Sequence, residues 1–122
     1  MISKPEQLRD RTKAFAVRVV RLYLALPLKT APQVLGKQLL RSGTSVAANY
    51  RAVCRARTPA EFKAKIGIVL EEADESVFWL EMLSEAGIMS QRRLEPLMNE
   101  ARELTAILTA SWDTARGKKQ PD

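Results

Sequence analysis

RSGTSVAANYRAVCRAR, residues 41–57, places two different surfaces on one predicted helix. At roughly 100° per residue, cationic side chains of this region share a narrow stripe: Lys37, Arg41, Arg51 and Arg55. The opposite side carries apolar and small residues: Leu35, Leu39, Ser42, Val46, Tyr50 and Val53. Small residues there let a neighbouring backbone approach closely. The pattern predicts a helix with a cationic outer face and a buried packing seam.

Capping signals mark the helices on either side. Ser3 followed by Glu6 predicts a capping box for helix 1, which should run to about Leu26. Thr30 with Gln33 predicts the same device for helix 2, which the pattern extends through residue 57. Prolines at residues 5 and 32 fall in the first turns, where proline is tolerated.

Helices 3 and 4 have the clearest boundaries. Thr58, followed by proline and then by Glu61, predicts that helix 3 begins at residue 59. Gly87 is the natural left-handed stop of that helix. Ser90 then predicts the cap of helix 4, which should extend to about Ala115.

Heptad spacing predicts the core of the second half. In helix 3 the residues that repeat every seven positions are Phe62, Val69, Ser76 and Leu83, and also Ile66, Ala73 and Leu80. Helix 4 offers Leu94, Leu97, Met98, Ala101, Leu104, Leu108 and Trp112. The connections are short, so consecutive helices must fold back on one another. The sequence predicts an all-α, antiparallel up-down four-helix bundle over residues 1–116, followed by a basic flexible tail, residues 117–122.

Composition argues against several classes of function. The chain has no histidine, which removes the usual catalytic pairs and imidazole metal ligands. Cys54 is the single cysteine, so no intrachain disulfide forms, and it is interpreted as a packing residue. Glu71, Glu72 and Glu75 form a poor ligand set for a di-metal site without histidine. We therefore expect no metal, no cofactor, no enzymatic activity and no membrane span, and a cytoplasmic location.

Two stretches carry a resemblance to a known family. RSGTSVAANYR, residues 41–51, and EFKAKIGIVLEEADESVFWLEML, residues 61–83, resemble the small four-helix-bundle proteins encoded by intervening sequences in bacterial large-subunit ribosomal RNA genes. That family is similar to the accessory protein of diversity-generating retroelements, which partners a reverse transcriptase. The resemblance implies a four-helix bundle, a ring of subunits, with five favoured, and a partner of polymerase type.

Charge is distributed unevenly along the chain. Residues 1–65 contain 14 basic and 3 acidic residues, a net +11, whereas residues 66–122 contain 6 and 11, a net −5. Pairing between the halves cannot cancel the whole excess, so an anionic partner, RNA or DNA, is expected. The predicted nucleic-acid-binding residues are Arg11, Arg18 and Arg21 of helix 1 with Lys37, Arg41, Arg51 and Arg55 of helix 2. Contacts of this kind neutralise phosphates without reading bases.

Apolar side chains also remain after one packing seam is filled. The predicted protein interface consists of Val17, Val20 and Leu24 of helix 1 with Phe78 and Met82 of helix 3. Self-association explains such a surplus, although a bundle cross-section different from the ideal helical wheel also would. A second reading of the function is a protein-binding scaffold that uses the acidic and apolar face of helix 3 and binds no nucleic acid.

An ion pair across the seam is the remaining prediction. Glu72 borders the seam of helix 3, and a partly buried carboxylate needs a cationic partner. Arg41 or Arg51 of helix 2 should supply it. The cationic face of helix 2 and the acidic face of helix 3 could then neutralise each other, which is the main alternative to nucleic-acid binding.

Overall fold

Four long helices form an antiparallel up-down bundle in the computed structural model, which describes residues 3–117. They are α1 (Lys4–Leu24), α2 (Thr30–Val53), α3 (Pro59–Glu85) and α4 (Gln91–Ala115). No strand occurs between residues 3 and 117, and the predicted fold is confirmed. Of the predicted tail, residues 118–122 lie outside the described part of the chain.

Most of the predicted caps are present. The hydroxyl oxygens of Ser3, Thr58 and Ser90 each accept a hydrogen bond from the backbone N–H three residues later. At the end of α3, Gly87 has φ +72°, its N–H donates to the Ser84 carbonyl, and the Ile88 N–H donates to Leu83. This pair of bonds is the Schellman motif, which satisfies the last carbonyls of the helix.

The predicted capping box of α2 is wrong. Thr30 is already helical, and the N-cap is Lys29, whose side chain makes no capping hydrogen bond. Gln33 instead accepts a hydrogen bond from the Tyr23 hydroxyl at 2.7 Å and donates one to the Pro27 carbonyl at 3.1 Å. The side chain that was expected to cap its own helix therefore ties α2 to the end of α1.

Helix α2 also ends four residues earlier than predicted. The N–H groups of Arg55 and Ala56 donate to carbonyls three residues back, those of Ala52 and Val53. Such bonds tighten a last turn and end the helix. The tight turn is what lets Thr58 open α3 so soon afterwards.

The core follows the predicted heptads. Both repeats of α3 are buried except for the half-buried Phe62, and the α4 set is buried except for the half-buried Trp112. Between α1 and α2, Gly43 lies directly against Val19, which is fully buried. A Cβ atom at residue 43 would stand 2.8 Å from Val19 Cγ2. The close approach of these two helices therefore depends on glycine.

The four helix–helix seams are not equally closed. Consecutive helices pack along their lengths, whereas the backbones of α1 and α4 come close at far fewer positions. A cavity of about 610 Å³ lies at the end of the bundle where α1 begins, lined by residues of all four helices. A smaller one, of about 290 Å³, lies between the end of α1 and the start of α4. The bundle is thus partly open on one side.

Candidate nucleic-acid interface

A basic groove lies between the first half of α1 and the last turns of α2. Its volume is about 660 Å³. We define the α1–α2 groove by its charged side chains, which are Arg9, Lys13, Arg51 and Arg55 with the single acid Asp10. Between them, Thr44, Ala47 and Ala48 leave the α2 backbone thinly covered, so a ligand can approach closely.

The groove arises from helical spacing on both sides. Arg9 and Lys13 are four residues apart on α1 and therefore share a face. Arg51 projects from the last turn of α2. Arg55 was predicted to lie on α2, but it occupies the turn after that helix and reaches the groove from there. In the described residues no ion pair forms at Lys13, Arg51 or Arg55, so their charges are available to a ligand.

Two of these four cations were missed by the sequence prediction. Arg9 and Lys13 were passed over because the prediction followed a line of arginines, Arg11, Arg18 and Arg21, on a different side of α1. One sequence signal could have revealed them. Arg9 and Lys13 are four residues apart on α1, and they face the side of α2 that carries the small residues Gly43 and Ala47. Lys37, which was predicted, is exposed on α2 but does not line the groove.

The predicted α1 arginines turn towards α4 instead. Arg18 and Arg21 line the smaller cleft of the α1–α4 seam. Arg11 donates from Nε to Glu100 at 2.8 Å and from Nη2 to the other Glu100 oxygen at 2.6 Å. Glu103 lies 3.0 Å from the same Nη2. These hydrogen bonds raise the pKa of Arg11, and two carboxylates offset its charge, so Arg11 is a clamp between helices.

We expect the Arg11 clamp to contribute measurably to stability. Glu100→Gln should lower the free energy of unfolding by about 1–2 kcal/mol, because Glu100 is largely buried and accepts both guanidinium bonds. Glu103→Gln should cost less than about 0.5 kcal/mol, because that side chain is 63% exposed. Urea titrations followed by circular dichroism measure both values. Equal losses in the two variants would contradict the assignment of Glu100 as the principal partner.

The predicted ion pair of α3 is found with one of its two candidate arginines. Arg41 lies 3.6 Å from Glu72 and 2.9 Å from Glu75. Arg51 makes no such contact in residues 3–117, because it faces the α1–α2 groove. Beside this pair, the buried hydroxyl oxygens of Ser42 and Ser76 stand 2.9 Å apart and join α2 to α3.

Glu72 is incompletely satisfied. Its Oε2 is buried and has no hydrogen-bond partner in the described residues. Burial raises the pKa of this carboxyl above its ordinary value of 4.5, repulsion by Glu75 and Glu71 adds to the rise, and Arg41 opposes it. Because the folded state raises the pKa, ionised Glu72 destabilises the fold above that pKa. The cost disappears as the pH falls below the unfolded value.

Removal of this charge is therefore expected to stabilise the protein. Glu72→Gln should raise the melting temperature at pH 7 by roughly 2–5 °C, the effect of ~1 kcal/mol in a chain of this size. The gain should vanish near pH 4, where the Glu72 carboxyl of the unmodified protein is mostly neutral in both the folded and the unfolded state. Differential scanning calorimetry across this pH range provides the measurement. The exposed neighbour variant Glu71→Gln is the control, and a gain of equal size there would refute the special position of Glu72.

Apolar side chains remain exposed at the predicted interface positions. Val17, Val20 and Leu24 form a stripe on α1, which we call the α1 stripe, and Leu24 is 76% exposed. On the opposite side of the bundle, Phe78 is 52% exposed and Met82 is half-buried. The structure therefore leaves these five side chains accessible to a partner.

The cavity at the end of the bundle where α1 begins is lined by a tyrosine and by the cysteine. Tyr50 and Cys54 lie there among the apolar side chains of Leu8, Phe62 and Ile107. Burial raises the pKa of Tyr50 to about 12, with a smaller contribution from Cys54. Cys54 is exposed, so its predicted role in packing is wrong. It follows Val53, the last residue of α2, and lies at the cavity wall with its Sγ 4.0 Å from the Pro5 carbonyl oxygen.

A metal cluster and a membrane-spanning helix are both absent from residues 3–117. Within residues 3–117, no three carboxylate or thiol side chains are grouped closely enough to hold a metal ion. None of the helices α1–α4 combines the length and apolar character that crossing a bilayer requires.

Comparison with known proteins identifies relatives by both sequence and structure. The model of a family described as 23S rRNA-intervening sequence protein matches residues 6–110. The fold is similar to the crystal structure of a protein with unknown function from the S23 ribosomal protein family from Bacteroides thetaiotaomicron. The two chains are 35% identical, and the match covers 91% of this chain and 99% of the other with a TM-score of 0.83. Among curated proteins, no significant match was found.

Proposed function

Because the chain belongs to the 23S rRNA-intervening sequence protein family, we propose that it is a non-enzymatic, oligomeric adaptor that binds RNA or DNA through phosphates. It acts in the bacterial cytoplasm, beside ribosomal RNA or a polymerase-type partner such as a reverse transcriptase. The nucleic acid lies in the α1–α2 groove.

The charge of the α1–α2 groove is the observation that carries this proposal. Four cations line it against one carboxylate, Asp10, which lies 3.7 Å from Arg9. Arg41, by contrast, is held by Glu72 and Glu75, so the acidic face of α3 neutralises one cation of α2 and leaves the groove charged. A groove of this kind attracts a polyanion and makes the attraction sensitive to salt.

Self-association belongs to the same proposal. The α1 stripe is bordered by Lys13 and Arg21, whereas Phe78 and Met82 are flanked by Glu71 and Glu75 at helical spacing. The two faces are therefore complementary in charge as well as apolar, which favours a second copy of this chain as the occupant. Because they lie on opposite sides of the bundle, their contact relates copies head to tail, and such contacts form a ring where the rotation between neighbouring copies closes. The family resemblance favours five subunits.

A ring would strengthen nucleic-acid binding without any new contact. Each subunit would present its own α1–α2 groove, and one strand could occupy several grooves in succession. The second binding event then becomes intramolecular, which raises the avidity well above the affinity of one groove.

Charge reversal in the groove tests the proposal. In Lys13→Glu/Arg51→Glu, one cation is reversed on each side of the groove. The affinity for a fluorescent single-stranded RNA should fall by about tenfold or more, and the slope of log affinity against log salt should become shallower by ~2. Fluorescence anisotropy at several salt concentrations measures both quantities. Different RNA sequences of equal length should bind the native protein about equally.

The matched control reverses the same number of charges elsewhere. Lys63 and Arg102 are exposed residues of α3 and α4 that do not line the groove. Lys63→Glu/Arg102→Glu should leave most of the affinity intact. If both double variants lose affinity equally, only net charge matters and the groove is not the site.

If the native protein fails to bind RNA or DNA even at low salt, the proposed nucleic-acid-binding function is wrong. The protein-scaffold function would then take its place. The exposed Phe78 among the carboxylates of α3 is the observation that supports that second reading.

A further inference from the structure

A second basic site lies on the other side of α1. We define the α1–α4 cleft as the cavity of about 290 Å³ lined by Arg18, Arg21 and Leu22 of α1 and by Arg93, Pro96 and Leu97 of α4, with Ala25 and Met89 beside them. Three arginines line it, and no acidic residue does. Arg93 did not figure among the predicted binding residues.

The carboxylates of α4 that contact α1 are already engaged. Glu100 lies two turns after Arg93 on α4, and both Glu100 and Glu103 contact Arg11. No ion pair forms at Arg18, Arg21 or Arg93 in the part of the chain that the structure describes. Glu100 and Glu103 are therefore committed to Arg11 and do not neutralise the arginines of the cleft.

The first turn of α4 departs from the usual charge preference. It carries Arg92 and Arg93 and no acidic residue, although the positive end of a helix dipole favours carboxylates at that position. Arg21, in the last turn of α1, faces the opposite end of a dipole and is favourably placed. Arg93 instead lies at the positive end of the α4 dipole, which disfavours a cation. An anion bound in the cleft would offset this repulsion.

We infer that the α1–α4 cleft binds a phosphate monoester at the end of a nucleic-acid strand. An internal diester carries one charge and two free oxygens, whereas a terminal phosphate carries about −1.5 to −2 and offers three acceptor oxygens. Three guanidinium forks match the second better than the first. This inference rests on the proposed function, because it assigns a terminal position to the strand that the α1–α2 groove holds.

The test compares two otherwise identical single-stranded RNAs, one with a 5′-phosphate and one with a 5′-hydroxyl. The native protein should bind the phosphorylated strand about tenfold more tightly at constant salt, since one charge-assisted contact pair has an effect of that order. Millimolar inorganic phosphate should abolish this preference without releasing the hydroxyl strand. That arm separates recognition of the phosphate group from attraction to the strand.

Substitutions of the cleft arginines show which residues are responsible for the preference for the 5′-phosphorylated strand. Arg93→Gln and Arg18→Gln should each reduce the ratio of the two affinities towards one. Arg92→Gln removes the same charge from the same turn of α4, but residue 92 does not line the cleft, and this variant should keep the ratio. Circular dichroism should be the same for all three variants and the native protein.

The possible results separate the inference from the proposed function. Tight binding of both strands without a preference would overturn the terminal-phosphate site and leave the groove proposal standing. A preference that survives in Arg93→Gln, or that inorganic phosphate leaves intact, would also overturn it. Failure to bind either strand would refute both proposals together.

Discussion

Gly43→Val is expected to lower the free energy of unfolding by about 3 kcal/mol or more, a large part of the stability of a small domain. A Cβ atom alone would stand 2.8 Å and 2.9 Å from the two γ-methyl groups of Val19. Val19 is fully buried and β-branched, so it cannot rotate away. The helices α1 and α2 must separate, and overpacking of this kind costs about 1–3 kcal/mol even for small insertions.

Smaller changes at the same seam test the mechanism. Gly43→Ala should destabilise less, because the helix propensity of alanine offsets about 1 kcal/mol of the clash. In Gly43→Ala/Val19→Ala the clashing methyl groups are absent, so the double variant should be more stable than additivity predicts, by about 1 kcal/mol. Urea unfolding of the four proteins completes the cycle.

Gly67→Ala is the matched control. Its Cβ would meet only the ring of Trp112, at 3.2 Å from Nε1 and 3.6 Å from Cδ1, and that ring is half-buried and able to move. We therefore expect a change within about 1 kcal/mol of zero. A loss as large as that of Gly43→Val would show that helical glycines matter here for a reason other than close approach of α1 and α2.

Loss of the ring is the second large effect that we expect. Sedimentation equilibrium of the native protein at micromolar concentration should give a mass near five times the 13.7 kDa of one chain. Phe78→Glu and, separately, Val20→Glu should reduce it to that of a single chain. Each variant places a charge in one of the two apolar faces that must meet, and an unpaired buried charge is costly.

Leu28→Glu is the control for this experiment. Leu28 is 93% exposed in the connection between α1 and α2, outside both faces, so the mass should not change. A native mass of 13.7 kDa at every concentration would contradict self-association. A stable trimer or tetramer would correct only the number of subunits.

Local signals in the sequence predicted most of the fold. Helix boundaries at Ser3, Thr58, Gly87 and Ser90 were predictable because each depends on hydrogen bonds within a few residues. The cap of α2 was not, because Gln33 has a better partner in Tyr23, which belongs to another helix. Tertiary contacts of this kind have no local signature.

The candidate site was predicted only in part, for a related reason. Helical spacing shows which cations share a side of one helix, but not which neighbouring helix that side meets. Arg11 and Arg18 are seven residues apart and looked equivalent, yet Glu100 engages the first and not the second. Arg9 and Lys13 gain their significance from the last turns of α2, about 40 residues away in the sequence.

The partly open seam between α1 and α4 has a consequence for how such proteins can diverge. Where helices interlock closely, as at Gly43 and Val19, a substitution on one side restricts the residues allowed on the other. Along the α1–α4 seam few side chains restrict one another, apart from the clamp around Arg11. The exposed residues that line the smaller cavity, such as Arg18 and Arg93, can therefore vary without loss of the fold, and relatives with the same four helices can hold different ligands there.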